Sequence, residues 1–473
     1  MAAGEALPKN RGFVSRLSAH DIVRMIARRE LGIEEMVRDV LHDIEAVEPL
    51  LNCFVAFYPD HVLAQAAELE RRRARDPSSI GPLGGLPIPV KDLIAAARYP
   101  TTFGSKPFRE NRTDADAPAV ERILSRQAIL FGKTTTSEFG CKATGFSPLT
   151  GHTRNPWNPS LTPGGSSSGS AAAVAAGLVP VALGTDGGGS VRIPAALTGI
   201  VGFKPTFGRA PVHPVSATPT VGHIGVLARN VRDAALIVDA ITGYDARDPY
   251  AVPLPPTAGL AACGRAIGRP RIAYSPTLGY ARPEAGVLRT VGEAVECLAA
   301  LGCEVTVVDA VFDDPADIWE SEFYTDLAVK LGDQLSTRRD EMDGDVVSKL
   351  QHYAGRDLLS HRQLALKRYR LRDQVRTLFA RFDFVVTPTL PVVAFPVERT
   401  SPAGYRADDL VAWASYTYPF NLTGHPAISL PAGLSDGLPT GLQIVGGPFE
   451  EERLFALAAA YEEARPWPLL NRQ

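Results

Sequence analysis

Residues 164–194 read GGSSSGSAAAVAAGLVPVALGTDGGGSVRIP, and no other stretch limits so sharply what the chain can fold into. Two serine groups, Ser166–Ser168 and Ser190, sit in glycine-rich backbone. Between them run a small-residue helix pattern and a short apolar strand pattern. Glycine lets a backbone adopt conformations closed to other residues and lets a second group approach closely. Ser190 follows Gly187, Gly188 and Gly189, so it reads as a nucleophile beside exposed N–H groups able to hold an oxyanion. A flexible Gly/Ser linker is the bland alternative. Linkers carry no apolar helix-then-strand pattern between their Gly/Ser blocks, and that reading is set aside.

Formal net charge is −3, and the one basic block, Arg71–Arg73, lies on a helix-like segment as a solvated face. No nucleic-acid footprint is expected. Cys53, Cys141, Cys263, Cys297 and Cys303 are scattered and odd in number, without a C-x-x-C pair. They read as reduced thiols in a cytoplasmic protein with no metal site. The first residues have no apolar signal core. The longest apolar stretch, Ala171–Gly184, is too short and interrupted to span a bilayer, so no membrane partner is expected.

Ser18-Ala-His-Asp21 resembles a capping box opening a helix through Ile22, Met25 and Ile26. A second helix runs through Met36 to Ile44 and stops near Pro49; a third covers His61–Arg75. Strand patterns follow at Ile88–Leu93, Ala128–Phe131, Leu178–Leu183, Arg271–Tyr274, Glu304–Val308, Phe384–Thr387, Ala427–Leu430 and Gln443–Val445. Helical patterns lie between them at Val231–Ile241, Pro283–Leu301, His361–Phe379 and Glu451–Glu463. Alternation of this kind predicts a layered α/β fold around one extended sheet. Residues 310–420 read as aromatic and irregular, a cover for the site.

A serine hydroxyl needs a base. The nine histidines are spread out, and none stands in a G-x-S-x-G context. Lys91, in Gly85-Leu-Pro-Ile-Pro-Val-Lys-Asp92, ends an apolar β-type run and is expected to be partly buried. A lysine base must fall roughly 3 units from its reference value of about 10.4, which desolvation can supply. Pairing of Lys91 with neighbouring Asp92 is the competing reading.

These residues carry a resemblance. Gly164–Ser170 (G-G-S-S-x-G-S), Gly184–Pro194 (G-T-D-x-G-G-S-x-R-x-P) and Gly202–Thr206 (G-[FL]-K-P-T) match the pattern of the amidase signature family. So do the P-V-K-D segment ending at Asp92, Ser137–Phe139, Asn155–Trp157, Asn421–Ala427 and Pro439–Gly446. The match runs from about residue 15 to 465. The resemblance implies a single large α/β/α domain around a mixed, mostly parallel sheet, spanning residues 76–473. Residues 1–75 would be a helical segment packed on it, with 310–420 variable. It implies a Ser–cis-Ser–Lys triad with Ser190 as nucleophile, Ser166 as bridge and Lys91 as base, and a cis peptide at Ser166. Gly187, Gly188 and Gly189 would form the oxyanion hole, and Gly140 and Cys141 would shape the acyl pocket. No cofactor is implied. The substrate would be a small linear amide, with a carbamate or urea, or glutamine in an amidotransferase complex, as alternatives; a homodimer is a family-level expectation. A non-catalytic binding protein is disfavoured by the intact triad.

Other positions have plainer readings. Asp186 and Arg192 are expected to hold the nucleophile loop. Gly132-Lys-Thr lacks the earlier glycine of a phosphate loop, since Gln127 stands there. Trp319, Tyr324, Trp413 and Tyr416 belong either to the cover or to plain core. Val226 stands where the family often has proline, and Thr134–Thr136 are expected to alter the substrate rim. Ala414 replaces the acidic residue that glutaminase subunits use for glutamine's ammonium group, which favours a less charged amide.

Overall fold

The computed structural model describes residues 7–8 and 11–470. Its strands are β1 (Phe54–Ala56), β2 (Pro87–Lys91), β3 (Ile129–Thr134), β4 (Phe146–Ser147), β5 (Gly151–His152), β6 (Val181–Thr185), β7 (Val201–Lys204), β8 (Ile224–Ala228), β9 (Arg271–Tyr274), β10 (Glu304–Val307), β11 (Phe384–Pro388), β12 (Ala427–Ser435) and β13 (Leu438–Gly446). Eleven form one sheet in the order β1-β3-β2-β6-β8-β7-β12-β13-β11-β9-β10, and β4 pairs with β5 apart from it.

The layered α/β fold with a mixed sheet is the one expected, but the balance of ladders differs. Among the described residues four are parallel, β2 with β3 and β6, and β9 with β10 and β11. The other six are antiparallel. Parallel neighbours need a crossover, usually a helix, and these occupy the two flanks. The centre is built from the β12–β13 hairpin and from β8, which runs against both β6 and β7. The sequence reading missed β1, β4, β5, β7 and β8. β7 and β8 each contain a glycine, which blurs a strand pattern. Val226 pairs within β8 with Leu183 and with Phe203, so a ladder occupies the position where proline was expected.

The N-terminal helices pack on this sheet. Ser18 caps the helix Ala19–Ala27, its hydroxyl accepting the Asp21 N–H at 3.0 Å. The reciprocal half of the capping box is absent, because the Asp21 carboxylate instead accepts the Ser18 hydroxyl at 2.7 Å. The N–H groups of Ala19 and His20 donate to buried Asp233 at 2.7 and 3.0 Å, which ties this helix to Val231–Ile241. Ile22, Ile26, Ile33, Met36, Val40 and Ile44 join one apolar core with the sheet.

Residues 310–420 are more regular than expected. They hold the helices Ala316–Leu331, Gly344–Ala354 and Leu358–Phe379. Apolar residues line more than one side of Ala316–Leu331, so no single stripe marks it as a helix in the sequence. A second apolar cluster forms here around Trp319, Tyr324, Trp413 and Tyr416, all buried, and includes Ile193 and Leu197, just after Ser190 in the chain.

Candidate active site

β2 and β6 are parallel neighbours, with Val90 opposite Leu183. Their carboxyl ends therefore deliver Lys91 and Thr185 side by side. This is the end of an α/β sheet where ligands commonly bind. The helix Ser168–Ala175 runs beneath them, with all eight residues buried. A Cβ on Gly169 would come within 2.2 Å of the Cys53 carbonyl oxygen, so the small-residue pattern of the sequence reflects a helix packed hard on other backbone.

The serines divide by partner. The Ser170 hydroxyl bonds Thr134 at 2.6 Å and the Leu183 carbonyl at 3.0 Å. The Ser167 hydroxyl donates to the Thr185 carbonyl at 3.2 Å. Ser166, preceded by a cis peptide bond from Gly165, meets Lys91: the Lys91 Nζ lies 2.6 Å from Ser166 Oγ and 2.8 Å from Thr185 Oγ1. The Ser167 N–H donates to the Ser190 carbonyl at 3.1 Å, which joins the two serine groups.

Lys91 is fully buried. Burial pushes its amine well below the ordinary lysine range, while the charge of Asp186 pulls the other way. Pairing with Asp92 is not what the structure holds. The Asp92 carboxylate accepts the Thr102 N–H at 3.0 Å and the Thr102 hydroxyl, and lies 3.6 Å from buried Lys133. Among the described residues no carboxylate comes within ion-pair distance of Lys91.

The glycine loop leading to Ser190 is braced from outside. The Trp319 Nε1–H donates to the Gly187 carbonyl at 2.7 Å, and the Thr417 hydroxyl to the Gly188 carbonyl at 2.6 Å. In a trans peptide N–H and C=O point opposite ways, so the first contact turns the Gly188 N–H away from Trp319. A Cβ on Gly188 would lie 2.5 Å from the Trp319 ring. Of the expected oxyanion donors, Gly189 is a correction. Its N–H donates to Asp186 Oδ1 at 2.8 Å and is consumed there. The N–H groups of Gly187, Gly188 and Ser190 have no protein acceptor among the described residues.

Asp186 and Arg192 are both wholly buried, and hold the loop as expected. The guanidinium grips the carboxylate in two places, at 2.9 and 2.8 Å. It also donates to Gln443 Oε1 at 2.7 Å, Asn421 Oδ1 at 2.7 Å and the Thr417 carbonyl at 3.0 Å. Burial alone would raise the Asp186 carboxyl, but Arg192 outweighs it and holds the group far below the usual carboxylate range.

A cavity of about 430 Å³ opens above these groups, with Ser166, Thr185, Gly187, Ser190 and Gly140 on its floor and walls. Phe103, Phe108, Phe139, Phe323, Leu327 and Leu331 are part of its apolar lining, and no Asp or Glu lines it among the described residues. Gly140 is where it was expected: a Cβ there would lie 3.2 Å from Ser166 Oγ. Cys141 is not. Its thiol is fully buried in the second apolar cluster, off the cavity, and burial pushes it up from the ordinary thiol value. Thr134–Thr136 are also buried and turn inward, so they do not form the rim. Ala414 packs in the second cluster rather than on the cavity.

Residues the sequence reading passed over also meet here. Thr185 is the second partner of Lys91. His223 lines the cavity, donating from Nδ1 to the Val221 carbonyl at 2.8 Å and accepting at Nε2 from buried Lys204 at 3.3 Å. Thr185, Lys204, Asn421 and Gln443 all stood inside matched motifs; His223 carried no such signal.

A family model described as Amidase matches residues 35–455. The chain is 34% identical over 463 residues to an acylamidase of Rhodococcus erythropolis, covering 95% of this chain and 96% of that one. It is 36% identical over 490 residues to a glutamyl-tRNA(Gln) amidotransferase subunit of Symbiobacterium thermophilum, covering 95% and 98%. Among solved structures, a bacterial aryl acylamidase of the amidase signature family superposes with a TM-score of 0.90 at 30% identity, covering 96% of this chain and 98% of that one.

Proposed function

Since this chain belongs to the amidase family, we propose that it hydrolyses a small, largely apolar linear amide through an acyl intermediate on Ser190. One observation carries the reading: a buried lysine amine, with no carboxylate to hold its proton, lies 2.6 Å from a serine hydroxyl on the wall of a cavity that Ser190 also lines. In this mechanism Lys91, neutral, takes the Ser166 proton while Ser166 takes that of Ser190. The Ser190 oxygen adds to the amide carbon. The oxyanion is held by N–H groups of Gly187, Gly188 and Ser190, each worth on the order of 10²–10³ in rate. The proton returns through Ser166 to the amide nitrogen, the C–N bond breaks, and the amine leaves. Water, deprotonated by the same relay, then releases the acid.

The cavity lining supports an uncharged substrate. The ammonium group of glutamine would enter an apolar chamber with no carboxylate to meet it, and an unpaired buried charge is costly. The likeness to an amidotransferase component supports a second reading, glutamine hydrolysis within a complex. Amine release by the isolated chain separates the two. Anilides and aliphatic amides should be cleaved without any partner, and a Ser190→Ala chain should release nothing. If glutamine were cleaved well and anilides not at all, the acylamidase reading would be wrong.

A further inference from the structure

The helix Leu358–Phe379 carries Arg362, Lys367, Arg368, Arg370, Arg372 and Arg376 against a single acid, Asp373. The whole chain has a net charge of −3, so positive charge is concentrated here. Arg368 pairs with Glu322 and Arg376 with Asp373. Arg362, Lys367, Arg370 and Arg372 have no ion-pair partner among the described residues.

The same helix exposes its large apolar side chains. Leu358 is 75% exposed, Leu359 68%, Leu366 60% and Tyr369 66%. Leu371, Val375 and Leu378 are buried, and Leu364 and Arg368 turn inward, so the packed side of the helix lies opposite Leu359, Leu366 and Tyr369. At 100° per residue Leu359, Arg362, Leu366, Tyr369 and Arg370 fall on one outward face. On this face the long arginine stems can carry their charges outward to anionic headgroups while the leucines and tyrosine between them enter the boundary region.

The position adds to this. Arg368 reaches across to the Thr220 carbonyl at 2.8 Å, beside cavity-lining Thr218 and Gly222. The packed neighbour Ala316–Leu331 contributes Leu327 and Lys330 to the cavity and exposes Val329 at 77%. The inner side of this helix thus borders the wall of the chamber, and the basic apolar face looks outward beside it.

We propose that this face docks on an anionic phospholipid surface, lying along it. Among the described residues no helix is long and apolar enough to cross a membrane, and none is needed for this contact. The occupant follows from charge. A two-fold contact with a second copy would bring each patch of arginines against itself, whereas anionic headgroups neutralise them and the leucines enter the acyl boundary.

The test is flotation of the full chain with two vesicle types, phosphatidylcholine alone and phosphatidylcholine with about one-third phosphatidylglycerol. Binding is expected to the anionic vesicles and to weaken as salt is raised. Arg362→Gln with Arg370→Gln should lower the partition about 25-fold, at roughly fivefold per cation. Leu359→Ser with Leu366→Ser should lower it by about tenfold or more. Both pairs should release amine from a soluble amide at the wild-type rate, which shows that they fold. Four outcomes overturn the proposal: no binding to anionic vesicles at low salt, equal binding to both vesicle types, variants that bind like wild type, or binding to soluble heparin but not to vesicles. A dimer in sedimentation that the leucine pair dissolves would assign the face to a second copy instead.

Discussion

Lys91 Nζ stands 2.6 Å from Ser166 Oγ, with its other polar contact the hydroxyl of Thr185 at 2.8 Å. Two hydroxyls satisfy an amine without holding it charged, as the base of the proposed mechanism requires.

A pH profile should report this amine. Its value lies well below that of free lysine because it is buried. Activity should rise with pH through the depressed value and level off far below pH 10. The same shift makes the unfolded chain bind more protons, so stability should also rise with pH above the folded value. Lys91→Met should abolish turnover, raise the melting temperature near neutral pH, and flatten that dependence. A variant with more than a few per cent of wild-type activity would contradict the assignment.

Thr185→Val keeps the shape and removes one acceptor from Lys91 Nζ. A lost hydrogen bond of about 0.5–1.5 kcal/mol predicts a fall in kcat of roughly three- to tenfold. The ammonium loses stabilisation, so the acid limb of the pH–rate profile should move to lower pH. An unshifted limb would mean that Thr185 only fills space.

Gly140→Ala tests the approach of the cavity wall to the bridge. The added Cβ would meet Leu93 Cδ1 at 2.9 Å and Ser166 Oγ at 3.2 Å, at a φ of +76°. Displacing the Ser166 hydroxyl by a few tenths of an ångström should lower kcat several-fold, short of the roughly 10²-fold of a 1 Å misplacement, with a far smaller loss in urea stability than the next substitution.

Asp186→Asn leaves Arg192 buried without its carboxylate. Breaking a buried pair from one side costs about 3–5 kcal/mol, measurable by urea unfolding. Because Asp186 is held low by Arg192, its contribution is present above the unfolded value of about 3.9 and is lost only as pH falls below it. The difference between wild type and variant should therefore be constant from pH 5 to 8, within roughly 0.5 kcal/mol.

Glu138 behaves in the opposite sense. Burial raises its carboxyl to about 7, although it accepts the Asp343 N–H at 2.6 Å. The folded chain then binds the extra proton, so this group favours folding at low pH and loses that contribution as pH rises through about 7. Glu138→Gln should gain roughly 2–3 kcal/mol relative to wild type between pH 5 and pH 8. A difference that does not change with pH would place this carboxyl in its ordinary range.

Much of the site was legible because its residues lie in motifs with unusual composition. Ser166, Ser190, Gly187, Gly188 and Lys91 were read from glycine spacing, an apolar run into lysine, and a family resemblance. Gly189 and Cys141 were misread, for different reasons. A glycine in a nucleophile loop looks like a donor until the carboxylate that takes its N–H is located, and Asp186 sits only three residues away. Cys141 adjoins Gly140 in sequence, but successive side chains turn in different directions, and its thiol faces the core. Ala414, read as a substrate position, packs away from the cavity.

The chain's own order of residues determined the family, the type of helix or strand in most segments, and the small-residue helix that must pack against backbone. Residue patterns apart from the family resemblance could not say which serine faces the lysine. That choice is made by the turn before the helix Ser168–Ala175, which seats Ser166, 75 residues from Lys91, within 2.6 Å of it, while the β2–β6 register brings Thr185 to the same amine. Nor could those patterns determine the nature of the cavity, whose walls come from Phe103, Phe139 and Phe323, far apart in the chain. Local periodicity is set by neighbours along the chain, whereas burial, and with it the loss of a lysine's proton, is set by what the fold brings around it.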